Sequence, residues 1–182
     1  MTAQAISRTH QQPTGDAELE LTRQELLVQY IMAPDQLEAA LAGLTEPDLD
    51  VAHTIGKWTI REIVHHIVDM DDISSMIVKA ALSHSGCTVD LGWYDSNTVC
   101  AAALDYASRP IAPDLALMRA KHQHIEQLLR ELPQAWERFV MLKRAGASEV
   151  TKLTVRQLIY HQTDHTRHHL EQIRVTRQEH GL

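Results

Sequence analysis

The segment that most limits the fold is residues 154–176, which read TVRQLIYHQTDHTRHHLEQIRVT. With a helical advance of about 100° per residue, Leu158, His165 and His169 fall on one line along a helix. An ordinary bundle helix carries leucines on such a line, whereas this one carries histidines. Burying imidazole rings costs free energy unless each ring finds a partner. The segment therefore predicts a long helix whose core-facing side carries polar chemistry.

Three T-x-x-[EQ] segments, which begin at Thr22, Thr59 and Thr154, have the form of a capping box. In this motif the Thr side chain and the Glu or Gln side chain satisfy free backbone N–H groups at the start of a helix. Apolar residues with a 3-4 spacing follow at residues 60–81 and again at residues 115–132. The chain therefore predicts four long helices, two of them with a coiled-coil-like seam.

The breaks between these helices predict the architecture. Pro34 is expected to kink or divide the first helix, because proline lacks a backbone donor. Residues 84–112 predict a long crossover, and residues 136–142 with 149–153 predict a short hairpin. An apolar content of 44% with only one Phe and seven Gly also favours helices. We therefore predict an all-α fold, a four-helix bundle with a long crossover connection.

Length and composition predict one domain at residues 18–182, after a flexible polar tail at residues 1–17. The net charge of −7, with 17 scattered Lys and Arg, argues against nucleic acid as a partner. No apolar run resembles a signal peptide or a membrane span, so we expect a cytoplasmic protein without a membrane partner. Cys87 and Cys100 lack CxxC spacing and are expected to be reduced thiols, although a single disulfide stays open.

His165 and His169, four residues apart on the inward line, are the first candidates for metal ligands. A third ligand is expected from another helix, since catalytic zinc sites usually combine three protein ligands with a water. We choose His66, on the buried flank of its helix, over His65, which points away from the seam. His122 also lies on an apolar seam and remains an alternative. A metal-free core in which the histidines are hydrogen-bonded is the other alternative.

Neighbouring polar residues are expected to support the ligands. His161 and His168 are assigned to such supporting roles or to the surface. Asp69 and Asp164 are candidates for orienting a ligand ring. No catalytic acid or base stands out, and no site for an organic cofactor is predicted. The reacting group is therefore expected to be a metal-bound water or thiol.

Two segments resemble a known family. Residues 58–69, WTIREIVHHIVD, resemble the pattern W-[ST]-[IV]-[RK]-[EQ]-[IV]-[VL]-x-H-[IL]-x-D of the DinB/YfiT-like superfamily. Residues 161–173, HQTDHTRHHLEQI, resemble its last-helix pattern, H-x3-H-x2-HH-x2-Q-I. The resemblance implies a crossover-linked four-helix bundle, often a homodimer, in which three histidines hold a divalent metal. Carried over by position, those ligands are His66, His165 and His169.

The same resemblance implies a metal-dependent enzyme that acts on a small molecule. Hydrolysis and transfer to a low-molecular-weight thiol are the two reaction classes it implies. Zn²⁺ is the expected ion and Ni²⁺ the alternative. A different class of function stays open, a non-catalytic dimeric binding module of the stress response, in which the histidines are packed core residues. Bound metal would distinguish the enzyme from this module.

Overall fold

The computed structural model describes residues 21–94, 96–132 and 134–182. The tail predicted at residues 1–17 lies outside these ranges. Four helices in the described part are long: α1 (Arg23–Leu41), α3 (Ile60–Ser83), α5 (Ala112–Glu131) and α6 (Val155–His180). The shorter elements are α2 (Glu46–Leu49), β1 (Thr88–Leu91), α4 (Asn97–Ala103), a 3₁₀ turn (Ala135–Glu137), β2 (Phe139–Arg144) and β3 (Val150–Thr154). The predicted bundle with a long crossover between α3 and α5 is confirmed.

The three predicted capping boxes are all present, at the starts of α1, α3 and α6. At the start of α6, the backbone N–H of Gln157 donates to the Thr154 hydroxyl at 3.2 Å. In return, the backbone N–H of Thr154 donates to Gln157 Oε1 at 3.0 Å. The start of the histidine-bearing helix is therefore fixed by local chemistry that the sequence shows directly.

Pro34 does not divide the first helix, which was one of the two outcomes expected from the sequence. Helix α1 runs without a break from Arg23 to Leu41 with Pro34 inside it. The missing N–H of Pro34 would have bonded to the carbonyl of Tyr30, four residues earlier. That carbonyl instead lies 2.7 Å from Nδ1 of His122 on α5. The ring of His122 therefore replaces the donor that the proline removes.

A small sheet lies beside the bundle. Strands β2 and β3 form the predicted antiparallel hairpin, with Val140 opposite Leu153. Strand β1 pairs in parallel with β2, with Val89 opposite Leu142. The sequence analysis missed β1, because a strand of four residues inside the crossover has too little alternation to detect. Across the described residues, no helix has both the length and the apolarity that a membrane span needs.

The apolar core has two halves. The half near the start of α3 includes Leu37, Val64, Ile67, Met118 and Ile173. The half near the sheet includes Leu26, Val78, Ile125, Val140 and Ile159. Between these positions along the helices lie buried polar side chains, which we call the polar layer: Tyr30, Asp71, Ser75, His122 and Gln162. A bundle with polar groups at mid-height must supply each of them with a partner.

His65 is buried, contrary to the expectation that it points away from the interior. Its side chain is 0% exposed. Its Nδ1 lies 2.5 Å from Oδ2 of Asp114, and its Nε2 lies 3.0 Å from the carbonyl oxygen of Arg109. His65 therefore ties α3 to the start of α5.

We predict that Asp114→Ala lowers the free energy of unfolding by about 1–3 kcal/mol, because it removes the largely buried carboxylate that contacts both His65 Nδ1 and the Arg109 guanidinium. The matched control is Asp35→Ala, which removes an exposed carboxylate paired with Arg119. An exposed pair contributes at most about 1 kcal/mol. Urea unfolding followed by circular dichroism measures both variants. Equal losses of stability would contradict the structural role of the His65–Asp114 pair.

Candidate functional site

Two packed helices bring three histidine rings together at mid-bundle. His66 comes from α3, and His165 and His169 come from consecutive turns of α6. His66 is 1% exposed and His169 is 8% exposed, whereas His165 is half-buried. The i, i+4 spacing places the two rings of α6 one above the other on the side that faces α3. The structure therefore brings together the three residues that the sequence analysis selected.

Nε2 of His165 lies close to Nε2 of both other rings. Nε2 of His165 lies 3.0 Å from Nε2 of His66 and 3.1 Å from Nε2 of His169. One ligand nitrogen from each ring lies within 4.8 Å of the others. At zinc–nitrogen distances of about 2.0–2.1 Å, two ligands of a tetrahedral site are about 3.3 Å apart. The spacing of the rings therefore fits a divalent ion with a free fourth position.

Hydrogen bonding alone accounts less well for this arrangement. A neutral imidazole carries one proton, so Nε2 of His165 donates to at most one of its two neighbours. Nδ1 of His66 is buried and has no hydrogen-bond partner among the described residues. Three nitrogens that share too few protons are a better match to a cation, which accepts a lone pair from each.

The electrostatic environment keeps His66 neutral. Burial lowers the pKa of His66, and the electrostatic interaction with His169 lowers it further, to about 3. A neutral ring offers a lone pair, and a metal ligand must be unprotonated. His66 is therefore ready to bind a cation at neutral pH.

Gln172 fixes the orientation of His169. Nδ1 of His169 donates to Oε1 of Gln172 at 2.7 Å, which leaves the lone pair of Nε2 directed at the other two rings. The amide of Gln172 in turn donates to Nε2 of His168 at 3.1 Å. Gln172 therefore connects His168 to His169.

Two cavities flank the cluster. The first, which we call the Trp58 cleft, has a volume of about 480 Å³ and is lined by Trp58, His169 and Gln172. The Trp58 ring also packs against His66, with ring centres 4.6 Å apart. The second, which we call the His161 cleft, has a volume of about 550 Å³ and is lined by His161 and His165. Both volumes are in the range of small-molecule sites.

The remaining predicted residues lie at the edges of the site. His161 and Asp164 line the His161 cleft next to His165. Asp69 lies against the hydroxyl of Tyr106, whose pKa is raised by burial and then by Asp69. The supporting roles of His161 and Asp69 stay predictions.

His122, the alternative third ligand, is not part of the cluster. Its Nε2 lies 2.7 Å from Oδ1 of Asp71 instead. Cys87 and Cys100 are both free thiols.

Sequence reasoning missed the roles of Gln172 and Asp71. Gln172 follows His169 by three residues on the same helix, and this spacing was a usable signal. Asp71 meets His122 across 51 positions of sequence, so no local pattern indicated that pair.

Known proteins resemble this chain over most of its length. A protein of Geobacillus thermodenitrificans (strain NG80-2) is 29% identical over 153 residues, which cover 81% of this chain and 80% of the relative. A protein of Geobacillus kaustophilus (strain HTA426) is 28% identical over 149 residues, with the same coverage. Both carry the name "Putative metal-dependent hydrolase".

A solved structure and a family profile agree on the fold. YfiT from Bacillus subtilis, described as "a probable metal-dependent hydrolase with an unusual four-helix bundle topology", superposes with a TM-score of 0.76 at 21% identity. The match covers 88% of this chain and 90% of YfiT. The sequence profile of the DinB superfamily matches residues 29–173. The chain therefore belongs to the DinB superfamily.

Proposed function

We propose that the protein is a metal-dependent hydrolase of a small molecule, with one divalent ion bound by His66, His165 and His169. The observation that carries the proposal is the convergence of three Nε2 atoms, with 3.0 and 3.1 Å between neighbours. Two relatives that carry the name of metal-dependent hydrolases support the reaction class. A divalent ion at such a site lowers the pKa of water that it binds, which supplies a nucleophile near neutral pH.

The side chains around the cluster have separable roles in this proposal. Gln172 holds the proton on Nδ1 of His169, so that Nε2 keeps its lone pair. The Trp58 ring covers His66 and excludes water from that side. The His161 cleft, which His165 lines, receives the substrate. We propose Zn²⁺ as the ion, because three neutral imidazoles with an open position are typical of catalytic zinc. Three further points from the sequence stay predictions: Ni²⁺ as the alternative ion, assembly into a homodimer and the use of a thiol cosubstrate.

Metal analysis tests the ligand set. We predict about one divalent ion per chain in the wild-type protein, and a loss of most of it in His66→Ala and His169→Ala, because two imidazoles bind an ion far more weakly than three. The matched control is His124→Ala, which removes an exposed histidine of α5 and leaves the metal content unchanged. Metal content is measured by mass spectrometry of purified protein. Unchanged content in both ligand variants would end the proposal.

Turnover tests the reaction class. We predict that the zinc-loaded protein hydrolyses at least one member of a panel of small esters, amides and lactones, and that chelation or His66→Ala abolishes this activity. A parallel panel pairs low-molecular-weight thiols with electrophilic acceptors. Product formation only in the second panel would identify a thiol transferase instead. Bound metal without turnover in either panel would contradict both reaction classes, whereas the absence of bound metal would favour the non-catalytic binding module.

The depressed pKa of His66 predicts how the metal-free protein responds to pH. The pKa of His66 is about 3 in the folded chain and about 6.5 in the unfolded chain, so the unfolded chain binds more protons between these values. Stability is therefore full above about pH 6.5 and falls as the pH drops toward 3, by about 1 kcal/mol per pH unit.

Urea unfolding in the presence of chelator, at several pH values, measures this slope. His66→Ala lacks the titrating ring and is expected to show a smaller slope, whereas the control His124→Ala keeps the wild-type slope. The same slope in all three proteins would show that His66 does not titrate in this way.

A further inference from the structure

The polar layer contains a second histidine site, separate from the three-histidine cluster. His122 is 2% exposed and its partner Asp71 is 1% exposed. Nε2 of His122 lies 2.7 Å from Oδ1 of Asp71, and Nδ1 donates to the Tyr30 carbonyl at 2.7 Å. The His122 ring also stacks on the Tyr30 ring, with centres 4.0 Å apart and planes 9° apart. The ring is therefore held in one orientation by α1 and α3.

This pair is arranged to hold a proton that can move. Both ring nitrogens of His122 face oxygen acceptors, so one proton lies between Nε2 and Oδ1 of Asp71. Lys121, the neighbouring cation, interacts electrostatically with Asp71 and Asp69, and burial lowers its pKa. The pair therefore has a side chain of the opposite sign to Asp71 close to it.

Several polar atoms of this layer lack partners. Among the described residues, buried atoms without a hydrogen bond include Tyr30 Oη, Asp71 Oδ2, Ser75 Oγ, Gln162 Nε2 and Gln162 Oε1. Each buried polar atom left unpaired costs about 1–3 kcal/mol. Five such atoms in one layer would strongly destabilise a core that contained no water. Buried water that makes two to four hydrogen bonds is the ordinary solution.

The unpaired atoms are neighbours of one hydroxyl. Burial raises the pKa of Tyr30 and the charge of Asp71 raises it further, while polar contact with Gln162 and Ser75 acts in the opposite direction. These side chains therefore surround the Tyr30 hydroxyl, although none is in hydrogen-bonding geometry with it. A hydroxyl that stays neutral both donates and accepts, so it can pass a proton between waters.

Gln162 connects this layer to the outside. It is 5% exposed, and it lines the His161 cleft together with His165. Its two amide atoms, both without a partner, place a donor and an acceptor between the cleft and Tyr30. The layer therefore reaches the cleft beside the three-histidine cluster through Gln162, and Ser75 lines a second cavity of about 400 Å³ on the side of Lys121.

We propose that the polar layer binds a chain of buried water that links the His122–Asp71 pair to the His161 cleft. The pair then exchanges protons with water in the cleft, although it lies outside the three-histidine cluster. In each exchange the Nε2–H bond of His122 breaks as the Asp71 carboxylate takes the proton, and the Asp71 carboxyl then passes the proton to a water. A proton that returns from water by the same route re-forms the N–H bond, so the charge of the pair is unchanged. His122 is a positioning and proton-holding residue here, since it touches no substrate. The water chain does not depend on a metal ion.

The test measures how fast the ring N–H protons of His122 exchange with solvent, by NMR of the full chain labelled with ¹⁵N-histidine. Gln162→Leu replaces the polar opening by an apolar side chain, and we expect His122 exchange to slow by about tenfold or more. Ser75→Ala removes a second water contact and is expected to slow it in the same direction. Since both changes replace unpaired polar atoms by apolar ones, both variants are expected to fold.

Two controls make the result decisive. Gln178→Leu makes the same change at an exposed position of α6 and is expected to leave His122 exchange unchanged. The ring of His65, which is equally buried and paired with Asp114, reports global opening in every sample. Slower exchange at His122 with no change at His65 supports the water chain. Unchanged exchange at His122 in both variants overturns it, as does an equal change at both rings.

Discussion

Polar groups buried at the middle of a helical bundle must find partners, and the whole arrangement of this protein follows from that requirement. An unpaired buried donor or acceptor costs about 1–3 kcal/mol, which is a large part of the stability of a domain. The chain buries histidines on α3, α5 and α6, the helices that enclose the core. Each ring therefore specifies which helices pack together, because only one packing supplies its partners.

Pro34 shows how the loss of one hydrogen bond within a helix can supply a buried side chain with its partner. A proline inside a helix normally weakens it by removing a hydrogen bond and crowding the turn before it. Here the carbonyl that loses its donor is that of Tyr30, and the His122 ring of another helix supplies a replacement at 2.7 Å. The result is a helix-to-helix hydrogen bond that neither segment could form alone. The rule about one helix predicted a kink or a division, and the tertiary contact explains why the helix is not divided.

Local patterns in the sequence predicted much of the fold and of the candidate site. The capping boxes at Thr59 and Thr154 and the 3-4 seams involve only residues that are close in sequence, so the sequence alone predicted them. His165 and His169 were also readable, since their spacing defines one face of one helix. The partners of His65 and His122 lie 49 and 51 residues away in sequence, and strand β1 is stabilised by pairing with β2. Such long-range pairs leave no periodic signal.

The adjacent histidines of α3 make two different contacts, one that positions the helix and one that belongs to the three-histidine cluster. Neighbouring residues on a helix point about 100° apart, so His65 and His66 face different partners. His65 reaches Asp114 at the start of α5, whereas His66 reaches His165 on α6. The first contact fixes the rotation of α3, and that rotation sets where the His66 ring points. In the proposed metal site, a ring held in this way would lose little freedom when a cation binds, which is the physical basis of a preorganised site.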